Sequence, residues 1–304
     1  MDGADRITLR RRVASIIQHI PGGALLFAVV PLVVLGYLGW FYYGAEHLDQ
    51  AFYALKAEKL TVTPQPDWIK SNVTDEVFNN GRLDRVSLLD PHATATIAQA
   101  FETHNWIQST ARVSKSSSGI VMVDVVYRRP AAMVYYERTA EGTNSGKVDK
   151  FFFPIDNMGI VLPSQDFSSD DTWNYFMIIA ENARPTGDTG MAYGDTRIGE
   201  ALKLCSLLEE HRQQHRLQEI WVTHDGQSTG PSPWTMTVWT RDQREIVWGH
   251  TPGAENAGEL TAEVKLERML SWLKATPPAG DEIPRKLDVR FPMGNASTAS
   301  HSRQ

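Results

Sequence analysis

From Val13 to Ala45 the chain carries no Asp, Glu, Lys or Arg. The core of this stretch runs Gly22-Gly-Ala-Leu-Leu-Phe-Ala-Val-Val-Pro31 and on through Leu-Val-Val-Leu-Gly-Tyr-Leu-Gly to Trp40. An α-helix rises 1.5 Å per residue, so about 20 such residues cross a hydrocarbon layer of roughly 30 Å. Trp40, Phe41, Tyr42 and Tyr43 gather at one end, as an interfacial aromatic belt does. Pro31 stands mid-run, where a lipid-embedded helix tolerates a kink. A signal peptide's apolar run is shorter, about 7–15 residues. A buried helix of a soluble core is seldom apolar on every side. The stretch therefore reads as a membrane anchor over residues 22–45, and no second run of that length follows Tyr43.

The flanks orient it. Residues 1–12 hold Arg6, Arg10, Arg11 and Arg12 against Asp2 and Asp5, a net of +2. All other charged residues lie after Ala45, where acids outnumber bases and the net is −8. Basic residues stay on the cytoplasmic side of a span. The N-terminal tail, residues 1–21, is thus expected inside and everything after the span outside. The single cysteine, Cys205, has no partner in its own chain and suits an oxidising compartment, while excluding a disulfide framework or a multi-cysteine metal site. A formal charge of −6 over 304 residues gives no basic face for nucleic acid.

Past the span, Glu46–Lys59 reads as a helical or stalk-like continuation, and two prolines extend Thr61–Lys70. A short helix is expected from about Trp68 to Asn79. In Leu88-Leu-Asp-Pro-His92, Asp90 is placed to cap a helix and Pro91 to open it. Ile97 and Phe101 share a face of that helix. Strands are expected over Gln108–Lys115 and Ile120–Tyr127, joined by a turn at Ser116–Gly119. No strand signal is legible before Trp68. From Met133 onward strands dominate, with candidates at Met133–Arg138, Phe151–Ile155, Trp173–Ala180, Leu217–Asp225, Trp234–Arg241, Glu245–His250 and Lys286–Phe291. Two helices interrupt them. Thr196–His215 carries Ile198, Leu202, Cys205 and Leu208 on one stripe, and Ala262–Ala275 carries Leu266, Met269, Leu270 and Leu273. The loops Ala140–Lys147 and Ser164–Thr172 read as polar and mobile.

Chemistry-bearing strings are few. Gly226-Gln-Ser-Thr-Gly230 matches Gly-x-Ser-x-Gly, but Pro231-Ser-Pro233 follows where a nucleophile elbow needs a helix, so it reads as a hairpin loop. His211 and His215 stand four apart, yet Arg212 occupies the position of the zincin glutamate. They read as a solvated helix end carrying cationic histidine. Asp166, Asp170 and Asp171 lack the glycine and closing glutamate of a calcium loop. Asn72-Val-Thr and Asn295-Ala-Ser are glycosylation strings that matter only in a eukaryotic host. No catalytic, cofactor-binding or metal-binding residue is assigned, and no cofactor is expected.

The order of the pieces resembles a family, the bitopic bacterial division proteins of the FtsQ/DivIB type. Asn105-Trp-Ile107, Val121–Val125 and Tyr127-Arg-Arg-Pro-Ala-Ala132 are similar to the closing strands of that family's POTRA domain. Ile155-Asp-Asn-Met-Gly-Ile-Val161 is similar to its Val-Asp-x-x-Gly-x-Val hairpin. Leu287-Asp-Val-Arg-Phe291 with Gly294 resembles its terminal strand. The resemblance implies an α+β chain: one N-terminal transmembrane helix (22–45), a stalk (46–60), a small POTRA-like α/β domain (61–130), a larger mainly antiparallel β-domain with two flanking helices (131–295) and a flexible tail (296–304). Phe101 and Trp106 are expected to be buried in the smaller domain. The resemblance also implies a non-enzymatic scaffold of the cell division (divisome) machinery, single-pass in the bacterial inner membrane, N-terminus cytoplasmic and C-terminal domains periplasmic. Its partners would be the bilayer and small bitopic division proteins of the FtsB/FtsL type, with neither nucleic acid nor a small-molecule substrate. The family adds a partner strand at the terminal edge, which implies a partner-binding strand at Leu287, Val289, Arg290, Phe291, Met293 and Gly294, with Val289, Phe291 and Met293 on one outward face. Pro292 lacks a donor and would interrupt pairing there. Two other readings compete. One is a POTRA-bearing envelope protein that takes secreted or unfolded chains by strand addition. The other is an anchored periplasmic hydrolase, for which no nucleophile–base pair can be placed.

Overall fold

A computed structural model describes residues 23–44, 53–139, 148–226, 232–275 and 285–292. The chain is a mixed α/β protein, with five α-helices and two sheets among the described residues. It divides into two compact units: Met1–Val62, Thr74–Ala100 and Arg112–Asp124 form one, and Thr63–Val73, Phe101–Ala111 and Val125–Gln304 the other.

Helix α1 covers Gly23–Gly39 and continues as a π-turn over Trp40–Gly44. Among the described residues no helix is long and apolar enough to cross a membrane. Gly22 and Ala45, the ends of the expected span, lie outside the described residues. From Val29 to Tyr42 every residue is exposed, Leu32 at 71% and Leu35 at 69%.

The smaller sheet has the order β1-β3-β2. Strand β1 (Leu60–Val62) runs parallel to β3 (Val121–Tyr127), with Leu60 opposite Val121 and Val62 opposite Val123. Between β1 and β2 (Ile107–Lys115) come α2 (Val73–Asn80) and α3 (Ala93–Glu102). Asp90 does cap the turn that opens α3, accepting the His92 amide on Oδ1 at 2.8 Å. Ala93, Ile97 and Phe101 form the buried stripe of α3. On β3, Val121, Val123 and Val125 are buried while Met122 and Val126 stay exposed, as a strand with one covered face requires. Phe101 and Trp106 are both fully buried, and both group with the second unit. The Trp106 indole there donates to Asp166 Oδ2 at 2.6 Å.

The larger sheet has the order β10-β9-β8-β7-β6-β4-β5. Its strands are β4 (Pro130–Thr139), β5 (Val148–Asp156), β6 (Phe176–Ala180), β7 (Leu217–His224), β8 (Trp234–Thr240), β9 (Glu245–Gly249) and β10 (Lys286–Asp288). It is not mainly antiparallel. The β4–β6, β6–β7 and β9–β10 pairs are parallel, against antiparallel β4–β5, β7–β8 and β8–β9. Two of the parallel joins follow from the helices, because α4 (Thr196–Arg212) links β6 to β7 and α5 (Ala262–Lys274) links β9 to β10. A helical crossover returns the chain in the direction it left. Ile198, Leu202, Cys205 and Leu208 of α4 and Met269 of α5 join Phe176, Ile178, Ile220, Val238, Ile246 and Trp248 in one core.

The Ile155–Val161 motif is a tight hairpin end. Asp156 Oδ1 accepts the amides of Met158 and Ile160, both at 2.9 Å, and Gly159 supplies φ +76°. Arg128 closes on Asp156 Oδ2 at 2.7 Å, so the Arg-Arg-Pro element is tied to this turn. The segment Ser164–Thr172 is no loose loop. Asp166, 3% exposed, accepts the Ser71 amide at 2.9 Å and hydroxyl at 3.0 Å besides the Trp106 indole. A buried carboxylate needs such partners, and finding them fixes the segment. Asp171 receives the Lys70 ammonium at 2.6 Å, and that bond, with others from the Ser168 amide and hydroxyl, draws its carboxyl down to about 2.

Candidate partner-binding edge

Among the described residues strand β10 pairs with β9 alone and ends the larger sheet on that side. Lys286, Leu287 and Asp288 stand opposite Glu245, Ile246 and Val247. Glu245 N donates to Arg285 O at 2.6 Å, and Val289 N to Val247 O at 3.1 Å. In a parallel ladder successive residues turn their amide and carbonyl to opposite sides. Leu287 therefore bonds inward to β9, while the backbone groups of Lys286 and Asp288 point away from the sheet.

The strand is shorter than expected, ending at Asp288 instead of reaching Met293. Pro292 is not the cause. The partner strand β9 runs out at Gly249, which takes φ +90°, and the departing chain is captured by other groups. Leu260 N donates to Arg290 O at 2.7 Å, and Arg268 of α5 donates to Phe291 O. The expected common outward face is also corrected. Val289 is fully buried and Leu287 packs on the core, whereas Phe291 is 38% exposed because the backbone has left the ladder. Met293 and Gly294 lie outside the described residues. Arg290 folds back onto Asp288, with Nη2 to Oδ2 at 2.7 Å and Nε to Oδ1 at 3.1 Å, and its guanidinium lies 5.2 Å from the Phe291 ring. Burial would raise the Asp288 carboxyl, but the Arg290 bonds outweigh it and hold it below the usual range.

Beneath this edge sits a buried charged cluster. Glu259 accepts His250 Nδ1 on Oε1 at 2.8 Å and Lys265 Nζ on Oε2 at 2.7 Å, and all three side chains are within 3% of full burial. Lys265 also lies 5.7 Å from the Trp248 ring. Burial pushes the Glu259 carboxyl up, but the bonds and charges of Lys265 and His250 overcome this and hold it below its ordinary value. At Gly249 a Cβ would stand 2.7 Å from Glu259 Oε1 and 2.8 Å from Arg290 Cγ, so only glycine lets cluster and edge approach so closely. The cluster thus anchors the loop that holds the end of β10. One clue to it lies in α5: Lys265 falls three residues after Ala262 and four before Met269, on the helix's buried stripe.

Ser228 of the Gly-x-Ser-x-Gly string lies outside the described residues. The rings of His211 and His215 are 6.5 Å apart, and among the described residues no group of three His, Cys, Asp or Glu could hold a metal ion. Burial first, then Lys274, His211 and Arg244, hold the pKa of His215 below its ordinary value. No protein-family model matches the chain, and no curated protein matches it.

Proposed function

We propose that the chain is a non-enzymatic scaffold of the bacterial division machinery, anchored once in the inner membrane through residues 22–45. In this reading its N-terminus is cytoplasmic, its folded part is periplasmic, and β10 accepts a strand from a small bitopic partner of the FtsB/FtsL type. The observation that carries it is the β10 edge, where Lys286 and Asp288 turn their backbone groups away from the sheet. Such an edge is a template for strand addition, with main-chain bonds giving affinity and flanking side chains giving selectivity. Lys286, paired with Glu245 at 2.7 Å, and the exposed Phe291 are the flanking side chains. Two further features support the reading. The order β1, α2, α3, β2, β3 is the arrangement expected of a POTRA-like domain over 61–130. Helix α1 carries no charge and buries no residue from Val29 to Tyr42.

Phe291→Glu tests the edge. Phe291 contributes nothing to the buried core, so the full-length variant keeps its unfolding midpoint, while recovery of the bitopic partner by co-purification falls about tenfold or more. A folded variant that recovers the partner as the parent does contradicts the assignment.

A further inference from the structure

The first unit holds a cavity of about 470 Å³ whose lining contains Lys56, Lys59 and Lys115 and no acidic residue. This is unusual ground in a chain whose exported part is net negative. The walls are built, not accidental. Leu88 N donates to Tyr53 O at 2.8 Å and Leu55 N to Val86 O at 2.9 Å, pairing the two segments that form one side. The Ser116–Gly119 turn forms the other side, closed by Ser116 N to Ile120 O at 2.8 Å and Gly119 N to Ser116 O at 3.0 Å. Gly119 takes φ +77°, and a Cβ there would stand 3.1 Å from Lys59 Nζ, so the glycine leaves room for the ammonium over the turn.

The lysines are differently employed. Lys115 Nζ donates to Leu88 O at 2.9 Å and Asp90 O at 3.1 Å, which fixes it in place and leaves a third N–H. Lys56 and Lys59 are exposed and make no ion pair among the described residues. Three lysines and a serine-rich turn line one cavity, and ammonium and hydroxyl donors together suit a phosphate group. The rim indicates the source of that phosphate. Tyr53 is 49% and Leu89 58% exposed beside the lysines, the pairing of apolar and cationic side chains found at membrane interfaces. From Gly44 to Tyr53 the chain spans nine residues, a reach of at most about 30 Å.

We infer that this cavity binds the phosphate headgroup of an anionic lipid in the bilayer that holds the anchor. The inference rests on the anchor reading above. It gives the first unit a second, electrostatic attachment to the membrane surface.

The test uses the full chain in neutral detergent, following the backbone amide resonances of Ser116–Gly119. Dihexanoyl phosphatidylglycerol shifts them saturably, and dihexanoyl phosphatidylcholine does not. In a Lys56→Ala, Lys59→Ala variant the phosphatidylglycerol affinity falls about 25-fold, roughly fivefold for each lysine. Equal affinity for inorganic phosphate overturns the lipid assignment in favour of a free anion. Shifts produced only by an acidic peptide, by every lipid alike, or by no probe overturn it as well. A parallel measurement separates the two readings: full chain reconstituted into phosphatidylglycerol vesicles is washed at alkaline pH and sedimented. A chain that stays with the vesicles but shows no amide shifts refutes the cavity alone. A chain that washes off refutes the anchor, and with it the bilayer as the source of the ligand.

Discussion

Glu259→Gln lowers the stability of the folded chain by about 3–5 kcal/mol, read as a fall in the urea unfolding midpoint. The substitution keeps the shape of the side chain but removes the charge that two buried groups share. Lys265, fully buried and bonded to Glu259 at 2.7 Å, is left as an uncompensated cation, and the one amide oxygen that remains can accept from His250 or from Lys265 but not from both as the carboxylate does. Breaking one side of a buried pair costs about that much, whatever the pair itself is worth. The pH dependence has a definite sign. The folded-state pKa of Glu259 lies below its ordinary value of 4.5, so the unfolded chain takes up the proton first as pH falls. The cluster's contribution is therefore present above about pH 4.5 and is lost as pH falls through the folded value. The glutamine variant lacks that part of the acid slope. Unchanged stability and an unchanged slope would mean that the cluster does not hold the loop behind β10.

Phe101→Ala carries an expected loss of the same size, about 3–5 kcal/mol. Its ring is fully buried at the end of the Ala93–Ile97–Phe101 stripe, and truncation leaves a cavity as well as removing transferred surface. Gln99→Ala on the exposed side of α3 is the control and should move the midpoint by less than about 0.5 kcal/mol. A loss below about 1 kcal/mol for Phe101→Ala would mean that the helix has another buried face.

Much of this fold is legible along the chain because its signals are local. Asp90 and Pro91 mark the start of α3, and alternation from Val121 to Val125 marks β3 and its buried side. The 3.6-residue stripe from Ile198 to Leu208 marks α4. What is not legible depends on distant partners. Strand β1 is three residues long, and Leu60–Val62 becomes a strand only because Val121–Val123 lies beside it. Asp166 reads as one more loop acid, yet Trp106 and Ser71 bury it from about 60 and 95 residues away. The direction of the sheet's pairings is likewise invisible strand by strand, and emerges from the crossovers made by α4 and α5. At the terminal edge, the alternation along the sequence does not give the exposed face. Period two carries Val289 and Phe291 outward together, whereas β9 ends at Gly249 and lets Phe291 alone turn to solvent.

The central claim is that the anchored chain works at the division site, and the position of a fluorescent fusion to the full chain in dividing bacterial cells tests it most directly. The account predicts a band at mid-cell that appears before constriction and depends on residues 22–45. Uniform membrane fluorescence throughout the cell cycle, from a fusion that is intact and membrane-bound, would contradict it.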